Sequence, residues 1–220
     1  MNYYIGLSLA AGSTIDSGVA VIDEDNNLIM LDKLYKMNDI IHFFDNFTSI
    51  RNSKVCASVP NDRTMLEGKW RILSKPYQLV ATNKIMPNRD NWTQRRSNRG
   101  SEYLKEDLSK KALSVTRFDI YKTRQSFHLN SCYKDRSPAD CKFLQQALRY
   151  ELGFTDLSNS MMPMSHLEAI LGAMLAKKLS NSPEEIETIY KFNGLDVIDL
   201  KENLKTSTDI FKANKEIIRV

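Results

Sequence analysis

Glycine and proline are scarce in this chain, eight and six among 220 residues, and nowhere do they gather into a low-complexity linker. No internal repeat is present. Apolar stretches break within about ten residues, too short to span a bilayer, so no membrane partner is expected. The opening "MNYYIGLSLAAGST" lacks the basic region that begins a secretory signal and reads as a strand. Cysteines stand only at 56, 132 and 141, with no CxxC pair. An odd, scattered set argues against a disulfide framework and for a reducing, cytoplasmic setting. A zinc site from His128, Cys132 and Cys141 is disfavoured against buried or incidental thiols.

What is present is ordinary in amount and unusual in placement. A hydrophobic share of 42% and a charged share of 26% suit one soluble, well-buried core. The net charge of +4 hides three blocks. Residues 1–62 carry four Lys/Arg against eight Asp/Glu; residues 63–149 carry nineteen against eight; residues 150–220 carry eight against eleven. A basic middle between acidic ends points to one face built for an anionic partner.

Three short runs open the chain. "YYIGLSL" (3–9) is apolar and aromatic, and "SGVAVID" (17–23) places Val19, Val21 and Asp23 opposite Ala20 and Ile22. "NNLIMLDKLY" follows the acid- and asparagine-rich turn "DEDNN", so three consecutive antiparallel strands are predicted. Ile40, Ile41, Phe43, Phe44 and Phe47 lie near helical spacing, with Asn38 or Asp39 as cap. "KVCASVP" (54–60) suits a buried fourth strand. Residues 63–115 lose periodicity and read as a basic insertion of loop and short helix. "TRFDIYKTRQSF" (116–127) is a candidate fifth strand that would carry Asp119. Two helices follow. One runs over 137–153 with Ser137 as N-cap, Pro138 first and Gly153 at the end; the other, over 162–182, has Leu167, Ile170, Leu171, Met174 and Leu175 on one apolar face. The tail predicts a hairpin at Asn193-Gly194 and then an amphipathic segment. The organisation is therefore read as 1–180 with an extension, 181–220, packed on the same domain.

Strand, hairpin, helix, strand is the order of the RNase H-like fold, which it shares with sugar kinases and actin-like ATPases. Those ATPases need two such subdomains, more than 220 residues are expected to supply. The stretches "IGLSLA" (5–10), "SGVAVID" (17–23), "VCASVP" (55–60), "FDIYKT" (118–123) and "SHLEAILGAMLA" (165–176) resemble, in order, those of a family of predicted RNase H-like nucleases related in fold to the resolvase RuvC. The likeness covers most of residues 3–180. It implies an α/β fold with a mixed sheet flanked by helices. It also implies two magnesium or manganese ions held by carboxylates from the first strand, the fourth strand and a late helix, activating water and steadying the leaving oxygen.

Matched onto this chain, three of those carboxylates are missing. Ser8, Ser58 and Ser165 stand in their places, and only Glu168 keeps its acid. A hydroxyl is a poor ligand for magnesium, so no metal is expected. If the protein does cut, the replacement ligands would be Asp62 and His166 beside Glu168; Asp16, Asp23 and Asp119 are further acids. Asp16 and Asp62 read better as ordinary turn residues, and His166 as a first-turn helix residue. Ser-His-acid catalysis lacks its Gly-x-Ser-x-Gly elbow. The turn "AAGSTIDSG" offers small residues for a phosphate but reads first as a tight hairpin connection.

Between 63 and 99, nine bases face only Glu67 and Asp90. Lys69, Arg71, Arg89, Arg95, Arg96 and Arg99 lie among Trp70 and Trp92. Arginines beside tryptophans suit phosphate contact with base stacking, although each tryptophan alone reads as a core anchor. The expectation is a catalytically degenerate nuclease fold that binds DNA or RNA through this stretch. The rivals are an active Mg- or Mn-dependent nuclease with displaced ligands, and a non-catalytic subunit docking an acidic protein.

Overall fold

The computed structural model describes residues 2–9, 17–35, 37–46, 53–59, 103–108, 110–111, 113–192 and 194–201. Within them lie seven strands: β1 (Tyr4–Ser8), β2 (Ser17–Ile22), β3 (Leu28–Leu34), β4 (Lys54–Ser58), β5 (Ser114–Phe118), β6 (Ile186–Phe192) and β7 (Leu195–Leu200). The helices are α1 (Met37–Asn46), α2 (103–108), α3 (Ile120–Ser126), α4 (Pro138–Tyr150) and α5 (Met164–Asn181). The strands form one mixed sheet, ordered β3-β2-β1-β4-β5-β7-β6. β1, β2 and β3 pair antiparallel; β4 runs parallel to β1, β5 to β4 and β7 to β5, and β6 returns antiparallel to β7.

The sheet is the middle of three layers. Central strands β1 and β2 are buried at every position, which explains why they read as unbroken small and apolar runs. Tyr4, Ala20, Ile22, Cys56 and Phe118 face α4 and α5. Ile5, Leu7, Val19, Val21, Val55 and Ala57 face the other way, against Ile40, Phe43 and Phe44 of α1 and Tyr103, Leu104 and Leu108 of α2. Thus 103–115, at the end of the supposed insertion, contributes a core helix and the start of β5. The C-terminal hairpin joins the sheet through β7, and Gly194 supplies the positive φ (+79°) its turn needs.

Three sequence readings change. The run 116–127 is not one strand, because β5 ends at Phe118 and α3 begins at Ile120. Asp119 is the hinge: its carboxylate accepts the N–H groups of Tyr121 and Lys122 at 3.0 and 3.2 Å, so a side chain that caps a helix ends the strand. Asn38 and Asp39 fall inside the first turn of α1, and Asp39 reaches back to accept the Tyr35 N–H at 2.9 Å. α5 has no single apolar face; it is buried all round from Leu167 to Ala176, since α4 and the segment leading into α5 cover the side away from the sheet. The helix at 138–150 starts as predicted, with Ser137 accepting the Asp140 N–H at 3.2 Å. Among the described residues no helix is long and apolar enough to cross a membrane. The reading of Phe47, the 63–99 stretch and the segment after 201 lies outside the described residues.

Candidate functional site

β1 and β4 lie side by side and parallel, so their C-terminal ends present Ser8 and Ser58 together at one end of the sheet. α5 comes down over both. Its close seat is cut by glycines: a Cβ on Gly18 would collide with the Ser165 carbonyl, and one on Gly6 with that of Ala169. This approach puts Glu168 directly over the end of β1. The Ser8 hydroxyl donates to Glu168 Oε2 at 2.6 Å, and none of Ser8, Ser165 and Glu168 is more than 4% exposed.

Ser58 is used differently. Its hydroxyl oxygen accepts the Leu9 N–H at 2.7 Å, extending the β1–β4 connection past the last strand pair. Its carbonyl accepts from Arg117 Nη2 at 2.7 Å. Arg117 reaches it from β5, fully buried, with its guanidinium 5.2 Å from the Phe192 ring centre. Burial brings the Arg117 pKa down to about 10, which still leaves it a cation at neutral pH.

A second arginine closes the other side. Arg136 Nη1 lies 3.2 Å from Glu168 Oε1, and Nη2 donates to Oε2 at 3.3 Å, a two-pronged grip on the carboxylate. Arg136 sits in the left-handed region, φ +57°, just before the Ser137 cap. Its backbone N–H donates to Asp140 Oδ2 at 2.9 Å, which stabilises that unusual conformation. Asp140 in turn is gripped by Arg124, whose Nη2 and Nη1 donate to Oδ1 and Oδ2 at 2.7 and 3.2 Å, and it accepts the Ser131 hydroxyl at 2.5 Å. Arg124 also donates to the Leu129 carbonyl through Nη2 at 3.3 Å, and Asp135 Oδ1 is 3.6 Å away. Tyr121 donates to Asp135 Oδ2 at 2.5 Å. The loop carrying Arg136 is therefore fixed by a connected polar network from α3 and α4.

The electrostatics follow the burial. Loss of water lifts the Glu168 carboxyl above its ordinary value, and Arg136 and the Ser8 hydroxyl offset only part of that lift. The Glu168 charge raises the Arg136 guanidinium above its ordinary value against the effect of burial. Burial would also raise Asp140, but Arg124, Ser131 and the Arg136 N–H more than offset it and hold Asp140 below the usual carboxylate range. Burial would lower Arg124, but Asp140 more than offsets it and holds the guanidinium above its ordinary value.

These residues do not fit a two-ion centre. Magnesium and manganese want several anionic oxygens, whereas the described residues at this sheet end offer Ser8, Ser58 and Ser165 and one carboxylate. Both oxygens of that carboxylate already take donors from the chain, and the nearest charge to it is a cation. His166 stands beside Ser165 at the start of α5, half-buried. Asp23 is no substitute ligand: it lies past β2, at the far end of β1 from Ser8, and anchors its own turn. It accepts the N–H groups of Asp25 and Asn27, each at 2.9 Å, and the Asn27 side chain at 2.8 Å. Burial opposes its ionisation, yet these bonds keep its carboxyl below the ordinary value. Asp119 is taken up in capping α3. Of the zinc candidates, Cys132 is exposed and Cys141 buried. Among the described residues no three His, Cys, Asp or Glu side chains gather to hold a metal ion.

Ser8, Ser58, Ser165 and Glu168 therefore converge. Asp16, Asp62, Lys69, Trp70, Arg71, Arg89, Trp92, Arg95, Arg96 and Arg99 lie outside the described residues. Sequence reasoning missed Arg136, Arg124, Asp140 and Arg117. Arg136 and Glu168 are 32 positions apart, with no periodic signal joining them. The one available hint was Asp140 in the first turn after an evident N-cap. Compared with known proteins, the chain matches no family model and none of the curated proteins.

Proposed function

We propose that this chain is an RNase H-like domain that has given up two-metal hydrolysis and kept its groove for binding nucleic acid. The strand order β3-β2-β1-β4-β5, antiparallel then parallel, supports the fold reading. The meeting of Ser8, Ser58, Ser165 and Glu168 at one sheet end supports equating those positions with the family's carboxylates. The observation that carries the reading is the Ser8–Glu168 hydrogen bond at 2.6 Å, closed by Arg136 on the same carboxylate. A site that would bind and activate water is here satisfied internally. The basic stretch from Lys69 to Arg99, with Trp92, then supplies affinity by phosphate contact and stacking.

The test is fluorescence anisotropy of labelled single-stranded, duplex and branched DNA and RNA over a salt series without divalent metal. Support is binding whose log K falls linearly with log salt. Absence of binding at low salt would sink the reading and favour an acidic protein partner. Divalent-metal-dependent cleavage lost in a folded Glu168→Ala variant would instead establish a nuclease with displaced ligands.

A further inference from the structure

The Glu168 carboxylate is almost fully buried, and a buried carboxylate is tolerated only when something neutralises it. In a two-ion hydrolase that something is metal. Here it is a side chain. Arg136 covers both oxygens at 3.2 and 3.3 Å, and Ser8, where a bridging carboxylate would stand, donates a proton instead of offering an anionic oxygen. The arginine is not a loose surface group that has folded inward. Its backbone is bonded to Asp140, and Asp140 is forked to Arg124 from a third element.

We propose that Arg136 is a built-in counter-cation that has taken over the role of the metal, so that this end of the sheet refuses divalent ions for as long as the arginine is there. Among the described residues, a dication approaching Glu168 meets a fixed positive charge, no carboxylate oxygen without a donor and no second anionic ligand. Ser8 and Arg136 are thus the two residues that together close the site. Reversing both reopens it, because an aspartate at position 8 would bring its carboxylate beside that of Glu168. The inference rests on reading this sheet end as a former metal centre.

The experiment counts bound Mn²⁺ from the loss of its free paramagnetic resonance signal. Wild type and Glu168→Gln are expected to take up equal amounts. Ser8→Asp/Arg136→Gln is expected to take up one further ion per chain, lost again when Glu168→Gln is added. Mn²⁺ uptake by wild type that disappears in Glu168→Gln would overturn the proposal. So would a folded Ser8→Asp/Arg136→Gln variant that binds no extra ion.

If that double variant does not fold, thermal melting of a charge cycle decides. Arg136→Gln alone, leaving a buried unpaired carboxylate, should lower Tm by about 10 °C. Arg136→Gln/Glu168→Gln should then lose clearly less than the sum of its single changes. Additive losses would refute the pairing. Nucleic-acid binding is read separately and without metal: its absence would sink the reading above while leaving the Mn²⁺ result standing.

Discussion

Gly6 of β1 lies directly beneath the carbonyl of Ala169 in α5, so close that a Cβ would stand only 1.8 Å from that oxygen. Gly18 meets Ser165 in the same way one strand over. These two absences of side chain set the height of α5 above the sheet, and that height brings Glu168 within reach of Ser8. The catalytic-looking end of the molecule is therefore a consequence of core packing.

Gly6→Ala should cost about 3 kcal/mol or more, since the backbone of α5 has no room to yield. Gly153→Ala is the control. It has φ +79° but nothing within 4 Å, so it should cost only about 1 kcal/mol. Urea midpoints of the two variants test this, and an unchanged midpoint for Gly6→Ala would refute the close seat.

Ser8→Ala removes one donor from a buried carboxylate and should cost about 1–3 kcal/mol at neutral pH. Ser8→Asp should cost more, because two carboxylates would then share the Arg136 grip. Denaturant unfolding of both variants ranks them; the reverse order would mean that Ser8 and Glu168 are not coupled as described.

Arg136→Gln should be pH-sensitive with a definite sign. Glu168 already sits above its ordinary value of 4.5, and losing Arg136 removes a lowering influence. An acid whose folded pKa exceeds its unfolded one loses stability as pH rises through the folded value. The deficit of Arg136→Gln should therefore be larger at neutral pH than near pH 4.5. Equal deficits at both pH values would show that Arg136 neutralises something other than Glu168.

Asp140 has the opposite sign. Its folded pKa lies below the ordinary 3.8, so its contribution is present above that value and lost as pH falls through the folded pKa. Asp140→Asn should cost about 3 kcal/mol at pH 7, by leaving Arg124 without its fork, and distinctly less near pH 3. Urea midpoints at the two pH values check it. A constant cost would place the stabilisation in packing instead of charge.

An Arg95→Ala/Arg96→Ala variant should bind duplex DNA with a log–log salt slope shallower by about 2, roughly one unit for each phosphate that an arginine no longer neutralises. Anisotropy titrations measure this directly. An unchanged slope would move the interface away from those residues.

The alternation of small apolar residues in 17–22, the turn after it, the parallel-looking run at 54–58 and the Ser137-Pro138 helix start are local signals, and local propensity was enough to read them. The order of motifs grouped Ser8, Ser58, Ser165 and Glu168, and the fold brings these four to one end of the sheet. Where a side-chain cap competed with a β-rich run, as at Asp119, composition alone misplaced the boundary, because one carboxylate taking two N–H groups outweighs several residues of strand preference. What only the tertiary structure decided is the partner of Glu168. Arg136 reaches it across 32 residues, held by a left-handed backbone, an aspartate and a second arginine from two further helices. Charge pairing in a core depends on which elements the fold brings together, and nothing in the linear spacing of Arg124, Arg136, Asp140 and Glu168 encodes that meeting.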